Sequence, residues 1–158
     1  MHLLEPLSDR EGWPMTGRCP VERTMKIIGS RNAMLTMREA FYGTRRYDDF
    51  AARVGMSAAT TASNLRTLTD AGLLERRPYR DEGSRTRDEY VLTQAGTDLM
   101  PVVLALHAWG IRYASDPPPI ELTHVDCGEP VEIHVTCRAG HRLSADDIAA
   151  HIAKPSGA

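Results

Sequence analysis

Three sets of residues have the types and spacings that chemistry requires. Cys19 stands directly before Pro20, a residue suited to the first turn of a helix because its missing N–H costs nothing there. The positive end of a helix dipole stabilises a thiolate, the reactive form of the side chain, so Cys19 is a candidate for redox sensing. The alternative is a small side chain filling an interface. Near the other end of the chain, His124-x-x-Cys127 and Cys137-x-x-x-His141 supply two closely spaced pairs of ligands suited to zinc. A tetrahedral structural zinc at His124, Cys127, Cys137 and His141 would tie two short strands, around 125–128 and 131–137, into an appendage with few large apolar residues. Gly140 occupies the place of a second-knuckle cysteine, and a plain β-hairpin with reduced thiols is the competing reading. The third set is Arg76, Arg77, Arg80, Arg85 and Arg87, opposed within residues 76–87 only by Asp81 and Glu82. Such an excess can sit against phosphates, and a solvated hairpin would have the same composition. No nucleophile, base and orienting group stand at useful spacing and no cofactor loop is present, so the expectation is a protein that is not an enzyme. His107 and Trp109 read as packing residues.

The arginine run needs a scaffold, and the preceding residues provide one. Val21, Met25 and Ile28 share a face after Pro20, which predicts a short helix stopped by Gly29. Met34, Leu35, Met37, Arg38 and Phe41 predict a second over about 31–42, ended by Gly43. Tyr47, Phe50, Ala51 and Val54 predict a third, closed at Gly55. Ser57 is a good N-cap for a fourth over about 58–71, with Thr61, Leu65 and Leu68 inward. Residues 73–79 and 87–92 then read as two strands joined by a polar loop, a hairpin wing. After Thr93, Leu99, Val102, Val103, Leu106, Trp109 and Tyr113 line the stripe of a long helix, interrupted only by Pro101 and about 30 Å long. Such a stripe either covers its own core or meets the same helix of a second chain, and two-fold DNA operators favour the second.

Composition agrees with a folded domain: of 158 residues, 42% are hydrophobic and 25% charged. The net charge of -2 is unevenly placed, with +3 over residues 19–115 and -4 over 116–158. No apolar run approaches the roughly 20 residues that cross a bilayer, and the first residues lack a secretory pattern, so a cytoplasmic protein is expected. The organisation is an N-terminal arm over 1–18, a folded domain over 19–115, a proline linker over 116–119 and an appendage over 120–158. The fold class is mainly α with a small β wing: a winged helix-turn-helix with a long C-terminal dimerisation helix and a short ribbon-like β appendage.

The outward side of the fourth helix carries Ala59, Thr60, Ser63, Asn64 and Thr67, all slim enough for a major groove of about 12 Å. Asn64 is the best base reader of these, since an Asn amide bonds adenine with both ends. Plain solvated helix positions are the alternative for each.

From Cys19 to about Tyr113 the sequence resembles the HxlR family of winged helix-turn-helix regulators, relatives of the MarR family. The resemblance is carried by Cys19-Pro20-Val21, Ile28-Gly29, Gly43 with Arg46-Tyr47 and Phe50, Ser57, Leu65-x-x-Leu68 and Ala71-Gly72-Leu73-Leu74-Glu75-Arg76, and then by Tyr90, Leu92-Thr93 and Gly96. It implies a homodimeric repressor or activator, of which repressor is the expectation, that binds a two-fold double-stranded DNA operator. The fourth helix would enter the major groove, and the wing would lie on the minor groove or backbone. Arg46, Ser57, Ala59, Thr60, Ser63, Asn64, Thr67, Arg77, Arg80, Arg85 and Arg87 form the expected contact set. Some members use the cysteine matching Cys19 to sense oxidants or electrophiles, which implies release by thiol modification or another effector. Two departures stand out: Asn32 where the family commonly has tryptophan, and Asn64 where arginine is common. A winged-helix module that binds protein only is the other reading, disfavoured by the basic wing.

Overall fold

The computed structural model describes residues 1–11, 19–80, 86–114 and 120–152. The chain forms two compact units, Cys19–Pro119 and the combination of Met1–Arg18 with Ile120–Ala158.

Strand β1, His2–Leu3, opens the chain and belongs to the smaller unit. In the larger unit, helix α1 spans Pro20–Ile28 with Cys19 as N-cap, and α2 spans Arg31–Phe41. The Ser30 side chain starts α2 by accepting the Ala33 N–H at 3.0 Å, which satisfies an otherwise orphaned donor. Helix α3, Tyr47–Val54, ends at Gly55, whose φ of +73° is a left-handed conformation that glycine adopts without cost. Helix α4, Ala58–Asp70, begins at Ser57, which caps the Thr60 N–H. Strands β2, Leu74–Tyr79, and β3, Arg87–Leu92, pair antiparallel from Leu74↔Leu92 to Tyr79↔Arg87.

The apolar faces of these elements meet in one core of Ile28, Ala33, Met37, Ala40, Phe50, Leu65, Leu68 and Leu74. Tyr90 packs edge-on against Phe50 with ring centroids 6.3 Å apart, tying the wing to α3. Glu39 is buried yet paired, accepting from Arg38 at 2.6 Å and from the Thr44 hydroxyl at 3.4 Å.

The long helix expected after Thr93 is broken. Helix α5, Gln94–Asp98, is followed at Leu99 by α6, Met100–Tyr113, whose 14 residues span about 21 Å rather than 30. Pro101 lies in the first turn of α6, where its ring and missing N–H are tolerated; inside a continuous helix they would not be. Gly96 lets α5 press on the strand entry: a Cβ there would stand 2.1 Å from the Leu73 carbonyl oxygen. None of the residues of α6 is buried, and Val102, Leu106, Trp109 and Tyr113 remain exposed.

In the smaller unit, β1 pairs in parallel with β4, Ala149–Ala150, in the register His2↔Ala149 and Leu3↔Ala150. Residues 1–11 of the segment read as an arm lie in this unit, and Leu7 is buried. The linker expected at 116–119 lies outside the described residues. Two tight turns follow Ile120. One is closed by the Gly128 N–H on the His124 carbonyl at 2.9 Å, the other by the Gly140 N–H on the Cys137 carbonyl at 2.9 Å. Ser144 caps the short turn Ala145–Asp147, and its hydroxyl and N–H, both donating to the Asp147 carboxylate, hold that carboxyl below the usual range.

Candidate nucleic-acid interface

The α3–Gly55–α4 corner carries most of the candidate recognition residues. Both the Gly55 and Met56 N–H groups bond the Ala51 carbonyl, at 3.0 and 2.9 Å, which makes the turn tight. The Tyr47 hydroxyl donates to the Ala58 carbonyl at 2.5 Å and fixes the start of α4 on α3. With Thr61, Leu65 and Leu68 buried, Ser57, Ala59, Ser63 and Thr67 are exposed, as their spacing predicts. These small side chains let the α4 backbone approach a groove floor.

Asn64 is placed differently. It is half-buried, and its Nδ2 donates to the Thr36 hydroxyl at 2.6 Å and to the Asn32 carbonyl at 3.3 Å. Thr36 is fully buried, so the amide is held by the protein instead of standing free for a base. The two positions that depart from the family resemblance, 32 and 64, thus touch each other. Asn64 and half-buried Thr60 line a groove of about 500 Å³ with Lys26, Ser30, Asn32 and Ser63, on the side of α4 that faces α1 and α2.

The stretch before α3 is stitched to the wing: the backbones of Arg46 and Glu89 pair as an antiparallel β-bridge, and the Tyr90 N–H donates to the Arg45 carbonyl at 2.8 Å. The Arg46 guanidinium lies 4.9 Å over the Tyr79 ring, a cation–π contact that aligns it with the hairpin. A polar hollow of about 290 Å³ gathers Arg45, Arg46 and Arg53 against Asp49 and Glu89. Along the hairpin, Arg77 pairs with Glu75 at 2.5 Å and Arg76 with Asp88 at 3.7 Å. Both pairs are exposed, worth little to stability and easily exchanged for a phosphate. Arg80 and Arg87 are exposed at the strand ends, whereas Arg85 lies outside the described residues. Tyr90, half-buried beside Arg76, has its phenol pushed up by burial, with the Arg76 charge opposing.

One residue of this surface escaped the sequence reading. Arg66 is exposed and is the one cation on α4. The run Ala59, Ser63, Arg66, Asp70, opposite the buried Thr61, Leu65 and Leu68, is the signal that could have found it.

Cys19 is a half-buried free thiol at the start of α1. Of the four residues considered as zinc ligands, His124 and Cys127 come together, with Nδ1 3.2 Å from Sγ. Cys137 and His141 bracket the second turn, and the two turns are joined through 130–136, with bridges Thr123↔Pro130 and Thr136↔Arg142 at its two ends. Among the described residues, no three His, Cys, Asp or Glu side chains gather as one ion would require.

A core built on α1 to α4, with the outer face of α4 exposed and a two-stranded wing following it, defines a winged helix-turn-helix, the fold of DNA-binding transcription regulators. Residues 27–118 match the family described as HxlR-like helix-turn-helix, and the chain belongs to that family. It is 37% identical over 131 residues to the uncharacterised HTH-type transcriptional regulator Rv3095 of Mycobacterium tuberculosis, covering 81% of this chain and 82% of that one. Its structure is similar to that of PA1607, described as a candidate transcription factor, with a TM-score of 0.77 and 32% identity across 87% of this chain and 96% of the other. It is also similar to the redox regulator HypR in its oxidised form, at a TM-score of 0.56 and 27% identity over 62% of this chain and 100% of HypR. The protein is a transcriptional regulator with a helix-turn-helix DNA-binding fold. No helix among the described residues is long and apolar enough to cross a membrane.

Proposed function

We propose that this regulator acts in the cytoplasm, without enzymatic activity, as a homodimeric repressor of a two-fold operator, with α4 in the major groove and the hairpin on the backbone or minor groove. The observation that carries this reading is the exposed small-residue face of α4, Ala59, Ser63 and Thr67 after the capping Ser57, in the same unit as a hairpin whose Arg76, Arg77, Arg80 and Arg87 are exposed. Dimerisation is supported by the exposed apolar side of α6, which with Pro20, Val21, Met25 and Met34 lines a groove of about 530 Å³. Release by thiol modification at Cys19 is part of the proposal, supported by its place at a helix start and by the likeness to HypR, a redox regulator.

The test is binding of the purified protein to duplex from its own upstream region and to unrelated duplex, across salt concentrations, with and without a thiol oxidant. Saturable preference for the upstream duplex is expected, lost on oxidation in the native protein and retained in Cys19→Ser. Arg85→Ala with Arg87→Ala should weaken binding to every duplex and flatten the log–log salt dependence by roughly one unit per lost phosphate contact. An unchanged slope would remove the wing from the interface, and no binding to any duplex would favour a protein-binding module. For the smaller unit the reading is a hairpin-built appendage with reduced thiols. Element analysis of chelator-free protein is expected to find no zinc; a stoichiometric amount would replace this reading with the four-ligand site.

A further inference from the structure

Resting on the operator reading above, we infer that Arg66 is the residue that gives this regulator its base preference, and that the base it reads is guanine. The inference starts from what α4 has available. Its outward line runs Ala59, Ser63, Arg66, Asp70, directly opposite the buried Thr61, Leu65 and Leu68. Ala59 offers only a methyl group. Ser63 and Thr67 are short, and the Thr67 hydroxyl already donates to the Ser63 carbonyl at 3.0 Å. Asn64, the one amide on the helix, is committed to the fully buried Thr36 at 2.6 Å and to the Asn32 carbonyl. To grip an adenine it would have to abandon a buried hydroxyl and turn out from under α2.

Arg66 has the opposite circumstances. It makes no hydrogen bond or ion pair among the described residues, and it stands on the same line as the small side chains of Ala59 and Ser63. A groove floor that admits Ala59 and Ser63 therefore comes within reach of its guanidinium. The guanidinium has five donors and no acceptor, in a planar fork that matches the O6 and N7 acceptors of guanine. A phosphate is the other acceptor of this shape; Arg76, across the same hollow, is placed for one, while Arg66 stands on the helix line of Ala59 and Ser63 with a carboxylate one turn away. Exposed Asp70 lies one turn further along the same line and joins Arg66, Tyr47, Arg76 and Tyr90 around a hollow of about 250 Å³. A carboxylate there repels a phosphate, whereas toward base edges it accepts from the cytosine N4 amino group, the partner of the guanine. Backbone contacts fall to the wing arginines, at the rim of the surface.

The experiment is selection of duplexes from a randomised pool by the full-length protein, comparing wild type with Arg66→Ala, Arg66→Lys and Asn64→Ala. Thermal melting of each variant verifies that it folds. The wild-type motif should contain a G·C pair at one position of each half-site. In Arg66→Ala that position should become degenerate, with discrimination for guanine falling roughly 10- to 100-fold. The remaining positions and the salt slope should stay as they were. Arg66→Lys keeps the charge without the fork and should lose most of the same discrimination. Asn64→Ala should retain the guanine position and melt at lower temperature. An Arg66→Ala motif identical to wild type would overturn the inference, as would a uniform loss of affinity with a salt slope lower by about one, the mark of a phosphate contact. Loss of a motif position in Asn64→Ala alone would return base reading to that residue. Absence of any motif for the wild type would overturn the operator reading itself, and this inference with it.

Discussion

Phe50→Ala is expected to lower the unfolding free energy by about 3–5 kcal/mol, the usual cost of emptying an aromatic site in a packed core. Phe50 is fully buried among residues from α2, α4 and β2, and it also supports the Tyr90 ring on the wing. The loss should therefore reach function: at temperatures where the variant still folds, the hairpin loses the aromatic contact that sets its angle to α3. Chemical denaturation of the variant measures the first effect, and proteolysis within the wing measures the second. A loss below about 1 kcal/mol would mean that the core closes over the cavity and that the three helices are less tightly fixed than their burial implies.

The second large effect concerns assembly. On the proposed homodimeric reading, Leu106→Glu is expected to give a monomer and to weaken operator binding by about 10²- to 10⁴-fold, because two linked half-site contacts would become independent. Leu106 is 51% exposed on α6, so the substitution leaves the protomer's own core intact. Sedimentation velocity reads the oligomeric state and circular dichroism verifies the fold. A Leu106→Glu protein that remains a dimer and binds operator as before would place the interface elsewhere than on α6.

Much of this architecture is legible in the residues because local signals agree with tertiary demands. Ser30, Ser57 and Thr93 each cap a helix, Gly55 closes the turn, and the buried face of α4 follows from Thr61, Leu65 and Leu68. The polar loop between two short β runs marked the wing. What could not be read is what depends on partners distant in sequence. Asn64 looks outward by periodicity, yet its position on the edge of the buried face brings it to Thr36 and Asn32, and no local pattern reports that pairing. Pro101 marks the break at Leu99, while the apolar stripe continues across it and hides it. The two-residue strand β1 is too short to carry a period at all. The place of Arg66 opposite the core, by contrast, follows from helical spacing alone.

The pairing of β1 with β4 has a consequence for how the chain comes to be folded. His2 must wait for Ala149, so the smaller unit closes across nearly the whole sequence, while every helix and strand of the larger unit lies between them. During synthesis the DNA-reading unit therefore has all its residues while the last strand is still unmade. Contacts of such separation form late, since the entropy of closing the loop is lost before any reward. The larger unit can then fold before β1 meets β4.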